Sequence, residues 1–221
     1  MTSGFDGQEQ TRVTYELIAS AYSRRQDRLG SDSSWLVSLL DELSWRLRPG
    51  AVVVDLGCGP GLHVTRLRAQ GMVAFGVDLS AAMLGQAQTR DVRLVGRMVR
   101  GRVEQLPLRS CSVEGVWSSF ALLHVPNSSM PAVFGEVSRV LVPGGTACLT
   151  FAGGDAPYVE EVEYRRGAFR TFHPLSAAQA AVMASQAGLT VIDQSSDPDG
   201  HRAAHHVQLR KGSMPAADLH R

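Results

Sequence analysis

Hydrophobic and polar positions change rhythm along this chain, and the changes delimit its elements. In "TRVTYELIASAYSRRQDR" and the residue after it, Val13, Leu17, Ala21 and Leu29 fall near helical spacing. "SDSSWLVSLLDELSWRL" opens on N-cap candidates and repeats Trp35, Leu39, Leu40, Leu43 and Leu47. Two helices are therefore expected before the first strand, with residues 1–10 polar and frayed and with Pro49 and Gly50 ending the second helix. "AVVVDL" is then a continuous apolar run of the kind shown by a strand covered on both faces. From there the pattern alternates: a helix at about 61–70, "MVAFGV" at 72–77, helical "SAAMLGQAQTR", "RMVRGRV", "SVEGVWSSF", helical "SSMPAVFGEVSRVL", and "GTACLTF". A βαβαβ rhythm implies an open, mostly parallel sheet covered by helices.

After Phe151 the rhythm breaks. Residues 153–175 read as a loop rich in Tyr, Arg and Glu, whose charged run "EEVEYRRGAFRTFHP" has a solvated helix as its plain alternative. A helix near 176–187 and the strands "LTVIDQ" and "AHHVQLR" follow, and two strands so close without a crossover helix should pair antiparallel. The tail "GSMPAADLHR" is polar and rich in small residues, as an unfolded end or a non-native remnant would be. One domain is expected over 1–221, divided into N-terminal helices at 1–48, a core at 51–151, a segment with the closing strands at 152–211, and the tail at 212–221.

Composition narrows the function classes. Charged residues make up 19% and balance at a formal +1, which offers no basic field for a nucleic acid. The start "MTSGFDGQEQ" lacks a positive flank and an apolar stretch, and no apolar run approaches a membrane span, so a cytoplasmic protein without a membrane partner is expected. Three cysteines, Cys58, Cys111 and Cys148, show no CxxC spacing, which argues against disulfides and a zinc site. Among His201, His205 and His206, the last two would point to opposite faces of a strand, so no metal site is expected.

The chemistry concentrates in "VVVDLGCGPGLHV". A glycine turn between strand and helix lets backbone approach a ligand, and the helix N-terminus presents open N–H groups. The glycines Gly57, Gly59 and Gly61 form GxGxG rather than the dinucleotide GxGxxG. Asp55, two residues earlier, would oppose a pyrophosphate but suits an ammonium or sulfonium. Asp78 stands 21 residues beyond Gly57, where an acidic residue in such folds takes ribose hydroxyls. An adenosine with a cationic amino-acid arm satisfies both.

These stretches carry a resemblance. "VVVDLGCGPG", "GVDLSAAML", "VEQLPLRSCSVEGVWSSFALLHV" and "EVSRVLVPGGTACLTF", covering about 51–151, resemble the class I S-adenosylmethionine-dependent methyltransferases of the small-molecule, type 11-like kind. The resemblance implies a Rossmann-like, doubly wound α/β fold. Its seven-stranded sheet would have the order 3-2-1-4-5-7-6 with the last strand antiparallel, and the N-terminal helices would act as a lid. It implies S-adenosyl-L-methionine as cofactor and S-adenosyl-L-homocysteine as product. The backbone of Gly57, Cys58, Gly59 and Gly61 would line the methionine arm, with Asp55 at the ammonium and Asp78 at the ribose. Leu79 and Met83 would flank the adenine, Val103 and Glu104 its edge, and Ser118 and Ser119 the methionine carbons. Tyr22, in "YELIASAY", would fold over the cofactor, and His124 would face the reaction centre as a base. Tyr15, Tyr158, Tyr164, Arg170 and His173 become candidates for contact with a small-molecule acceptor, O, N or C, such as a secondary metabolite. Two departures stand out: Arg102 replaces a common acidic residue near the adenine, and Val113-Glu114 replaces Phe-Asp.

Each feature has a plainer alternative. Asp55 would cap the turn, Cys58 would fill a tight loop, Tyr22 would be an aromatic on an apolar helix face, and His124 would be a structural histidine held by backbone. Rival functions are a cofactor-binding regulator without chemistry, a nucleic-acid methyltransferase, for which the N/D-P-P-Y signature is missing, and a nicotinamide reductase.

Overall fold

The computed structural model describes residues 7–29, 34–197 and 204–213, so the expectations for residues 1–6, His201 and most of the tail lie outside it. The elements are α1 (Gly7–Leu29), α2 (Ser34–Trp45), β1 (Val52–Leu56), α3 (Leu62–Ala69), β2 (Val73–Asp78), α4 (Ala81–Arg90), β3 (Met98–Arg100), β4 (Val113–Ser118) and α5 (Met130–Val140). They continue with β5 (Leu141–Phe151), β6 (Tyr158–Glu161), β7 (Phe169–Phe172), α6 (Ala177–Gln186), β8 (Leu189–Ser196) and β9 (His205–Lys211). One seven-stranded sheet has the order β3-β2-β1-β4-β5-β9-β8. Pairing is parallel through β5 and antiparallel at β5–β9 and β8–β9. Because β6 and β7 stand apart as a two-stranded sheet, this is the expected 3-2-1-4-5-7-6 order.

The central strands are buried on both faces because each face has its own helices. Leu39, Leu40 and Leu43 of α2, with Val64 of α3 and Ala87 of α4, pack on Val53, Ala74 and Trp117. On the other face Phe134 and Val137 of α5 and Ala180 and Ala184 of α6 cover Val54, Val116, Leu149 and Val207. β9 separates its two histidines as strand geometry requires. His205 stacks on Phe151, at a centroid distance of 5.7 Å, while His206 meets Trp35 at 5.9 Å and Ser195 Oγ at 2.8 Å.

Three expectations are corrected. Residues 7–10 are helical rather than frayed, since α1 begins at Gly7 and Gln8 is tied to Glu104. The apolar stripe read on α1 does not face the core: Val13 and Leu17 are 41% and 60% exposed, while Thr11, Thr14, Ile18 and Ala19 are buried. Besides the apolar contacts of Ile18 and Ala19 with Met83, Val162 and Ala168, α1 is held by hydrogen bonds to β7, with Thr14 Oγ1 donating to Phe169 O (2.5 Å) and Thr171 N donating to Thr11 Oγ1 (3.0 Å). Residues 153–175 are neither a loop throughout nor a helix, because they contain the β6–β7 hairpin. Its cross-strand pairs supply the reason: Tyr158 stacks on Phe172 at 4.8 Å, and Arg170 pairs with Glu160 at 2.6 Å.

Glu114 also receives a role. Its carboxylate accepts from Val52 N (2.8 Å) and pairs with Arg48 (2.5 Å), fixing the start of β1.

Candidate functional site

The parallel strands β1, β2 and β4 all deliver their C-terminal ends to one edge of the sheet, where open α/β sheets place a ligand crevice. There β1 turns through the glycine loop, which is locked to β2 by Gly57 N and Cys58 N donating to Val77 O at 2.7 and 3.1 Å. Gly57 has φ 68°, and a Cβ there would come within 2.1 Å of Ala121 Cβ. Gly59 has φ 51° and borders the cavity, with nothing within 4 Å of the place a Cβ would take. The first glycine permits close packing, and the second leaves a cradle. Gly61 instead opens α3 as its N-terminal cap residue and packs against Ala87 and Leu94, outside the cavity lining.

Asp78 ends β2 and bridges two segments. Its carboxylate accepts from Gly59 N and from Ser80 N, both at 2.8 Å, joining the glycine loop to the start of α4. Burial pushes its pKa above the ordinary carboxylate value, while the two N–H donors oppose the shift. Ser80 caps α4 through Met83 N, and Leu79 and Met83 supply an apolar wall. Across the cavity stand Val103 and Glu104. Glu104 Oε1 accepts from Gln8 Nε2 (2.6 Å) and from Arg102 (3.3 Å), whereas its buried Oε2 has no partner among the described residues. Arg102, which stands where an acidic residue is common, thus ties Glu104 to Gln8.

α1 crosses the mouth with Gln8, Thr11, Arg12, Tyr15 and Tyr22 on the cavity side. It is held to α4 by Glu16, which accepts from Ala81 N and Ala82 N at 2.8 and 2.9 Å. Desolvation pushes the Tyr22 phenol above its usual value, and its ring meets Tyr15 edge-on at 5.8 Å. Beyond Ser119, the chain passes through Phe120 at φ 51°, held by Phe120 N donating to Thr150 Oγ1 (2.8 Å). That turn carries His124 to the cavity, buried, with Nδ1 2.7 Å from Thr171 O and Nε2 2.9 Å from Tyr15 Oη. The cavity encloses about 130 Å³ and opens to solvent at its mouth.

Of the residues singled out by sequence, Tyr15, Tyr22, Gly57, Gly59, Asp78, Leu79, Met83, Val103, Glu104, Ser119 and His124 come together around this cavity. Asp55, Cys58 and Ser118 are buried outside its lining. Burial raises the Cys58 thiol well above its usual value, as a filler beneath Gly76 requires. Ser118 Oγ donates to Leu56 O (2.9 Å). Tyr158, Tyr164, Arg170 and His173 also lie outside the lining. Tyr164 faces Arg25, and His173 N donates to Leu123 O (2.7 Å). The hairpin reaches the site indirectly, through the Thr171 carbonyl at His124 and through Arg170 at Tyr15. Sequence reasoning missed Gln8, Arg12, Phe120 and Ala121, whose only signal is a small residue opposite a glycine turn and polar residues on an N-terminal helix.

Among the described residues no group of three or more His, Cys, Asp and Glu is arranged to hold a metal ion, and no helix is long and apolar enough to cross a membrane.

Residues 54–149 match the family model described as a methyltransferase domain. The chain is 32% identical over 167 residues to a malonyl-[acyl-carrier protein] O-methyltransferase of Pectobacterium atrosepticum, covering 74% of this chain and 62% of that protein. It is 33% identical over 146 residues to a 2-phytyl-1,4-naphtoquinone methyltransferase of Thermosynechococcus vestitus, covering 62% of each. It therefore spans less than two thirds of the length of these curated relatives. In fold it is similar to the Burkholderia thailandensis 1,6-didemethyltoxoflavin-N1-methyltransferase, solved with 1,6-didemethyltoxoflavin and S-adenosylhomocysteine bound. That likeness has a TM-score of 0.71 at 16% identity and covers 96% of this chain and 94% of that one.

Proposed function

We propose that this chain, whose residues 54–149 match a methyltransferase domain, is of the class I S-adenosylmethionine-dependent type and transfers a methyl group to a small-molecule acceptor. The residues present fit this cofactor. Asp78 lines the cavity, and each of its oxygens, accepting one backbone N–H, has accepting capacity left for ribose hydroxyls, while the open face of Gly59 leaves room for the amino-acid arm. Glu104 Oε2, buried beside an apolar wall of Leu79, Met83 and Val103, suits the amino group of an adenine. Asp55, buried in the strand that feeds the loop, would act on the ammonium end from behind the cavity lining. When bound, S-adenosylmethionine supplies an electrophilic methyl group on a positively charged sulfur.

The chain's own contribution is alignment and water exclusion. Reaction at a methyl group requires the acceptor atom in line at about 3 Å, so holding both partners can supply most of the acceleration. Asp78 and the glycine loop hold one partner from below, and α1 closes the other side through Glu16 and the threonine contacts to β7. Ser119, Phe120, Val125, Tyr15 and His124 border the acceptor end. The named relatives methylate at oxygen and at nitrogen, so the family alone leaves the acceptor atom open.

The observation that carries the reading is Asp78, a half-buried carboxylate that ties the glycine loop to α4 while lining the cavity. Calorimetry tests it. S-adenosylhomocysteine should bind the parent protein and NAD should not. Asp78→Ala should weaken binding by about 1.5 to 3 kcal/mol, through loss of charge-assisted hydrogen bonds. Binding of NAD in place of S-adenosylhomocysteine would overturn the reading.

A further inference from the structure

The acceptor end of the cavity contains a hydrogen-bonded chain that none of its members forms alone. Thr171 O is a carbonyl oxygen and only accepts, so the proton on the His124 ring sits on Nδ1, 2.7 Å away. In the neutral ring this leaves a lone pair on Nε2, and Tyr15 Oη lies 2.9 Å from it. The phenol therefore donates to the imidazole. The ring is fixed by Phe172 at 4.9 Å and by Tyr15 at 5.4 Å, so His124 reaches the cavity with its second nitrogen already occupied.

We propose that the Tyr15 hydroxyl is the catalytic group that meets the acceptor's proton, that His124 is the positioning residue and proton store behind it, and that the acceptor is a weakly acidic hydroxyl rather than a carboxylate. This rests on the methyltransferase reading above. Arg170 of β7, paired with Glu160, also hydrogen-bonds Tyr15 and so orients its hydroxyl. The other titratable groups facing the pair are Tyr22 and Tyr164, with Asp78 further along the cavity.

The arginines argue against a carboxylate acceptor. Arg12 is bidentate to Glu9 and lies 3.7 Å from Glu16, and Arg102 is engaged by Glu104 and Gln8. Arg170 is matched by Glu160. Among the described residues both arginines that line this cavity, and Arg170 behind Tyr15, already face a carboxylate, whereas an anionic acceptor would need a cation of its own and no base. A hydroxyl needs the reverse. Its proton passes to Tyr15 Oη as the phenolic proton passes to His124 Nε2. The O–H electron pair becomes the new O–CH3 bond, and the C–S pair leaves with sulfur. The imidazolium then carries a proton on each ring nitrogen, Nδ1–H donating to Thr171 O and Nε2–H to Tyr15 Oη, until water removes the added one.

Nitrogen-15 spectra of ring-labelled histidine, taken on the full chain loaded with S-adenosylhomocysteine, test this without a known acceptor. The expected result is an Nδ1–H tautomer for His124, an Nε2 resonance that moves when phenol is added and not when acetate is added, and a shifted His124 titration in Tyr15→Phe. With any hydroxyl acceptor subsequently turned over, Tyr15→Phe should lower kcat by about 100-fold with KM little changed, since a general base contributes on that order. An Nε2–H tautomer, a response to acetate in place of phenol, no response to phenol, or an unaltered His124 titration in Tyr15→Phe overturns the proposal. Failure of the parent to bind S-adenosylhomocysteine overturns the methyltransferase reading instead.

Discussion

Gly57 and Gly59 hold the same left-handed backbone, yet an added methyl group would meet different surroundings at each. At Gly57 it collides with Ala121, and at Gly59 it enters open cavity space. Gly57→Ala should therefore destabilise the fold by about 1 to 3 kcal/mol from overpacking, beyond the left-handed cost of about 1 to 2 kcal/mol that both alanines share. Gly59→Ala should show only that shared cost in thermal unfolding, yet lose more S-adenosylhomocysteine affinity than its stability change implies. Equal melting temperatures for the two variants would contradict the packing assigned to Gly57. The motif announces glycines in this turn without saying which one faces ligand; that depends on Ala121, more than sixty residues later.

At the scale of elements, β9 carries His206 into the face beneath α2, beside Trp35, Ser195 and Asp193. Burial pushes its pKa below the ordinary 6.5, partly opposed by the charges of Asp193 and Glu42. The unfolded chain then takes up a proton as pH falls below about 6.5 while the folded chain does not, so stability is full above that pH and falls below it. The melting temperature should drop between pH 7.5 and 5.5, and His206→Gln should flatten the drop; parallel curves would remove His206 as its source. α5 shows the carboxylate counterpart. Glu136 is held below its usual pKa chiefly by Arg139 and accepts from Leu106 N at 2.6 Å, while Arg139 donates to Leu106 O and Leu108 O. That stability is present above pH 4.5 and is lost as pH falls through the folded value. Arg139→Ala should soften acid unfolding while loosening residues 106–108, measurable by hydrogen exchange at Leu106 N.

For the whole molecule, α1 is the element whose position couples ligand to fold, since it packs on α4 and β7 and faces the cavity with Gln8, Tyr15 and Tyr22. A ligand held beneath it stabilises only the folded state, by about 2.7 kcal/mol at a hundred times Kd. Hydrogen exchange in α1 and in the β6–β7 hairpin should slow together when S-adenosylhomocysteine binds; slowing confined to the glycine loop would leave α1 without a part in closure. How this arrangement was legible in the chain follows from the range of the forces involved. The α/β layering, the antiparallel closing pair, the glycine turn and the acid at the end of β2 were written locally, because apolar runs, turn residues and strand-end acids declare themselves within a few neighbours, whereas the strand order followed only from the family resemblance. The face of α1 that turns inward was not, since Thr11 and Thr14 are buried by hydrogen bonds to a strand about 155 residues away and so break the apolar spacing that signals a buried face. The hairpin was masked by charges whose partners, Glu160 and Arg170, neutralise each other only once the strands pair. His124 could be named from the sequence, but its tautomer and its tie to Tyr15 were decided by tertiary structure, because they depend on a carbonyl of β7 and a hydroxyl of α1 that meet only in the folded chain.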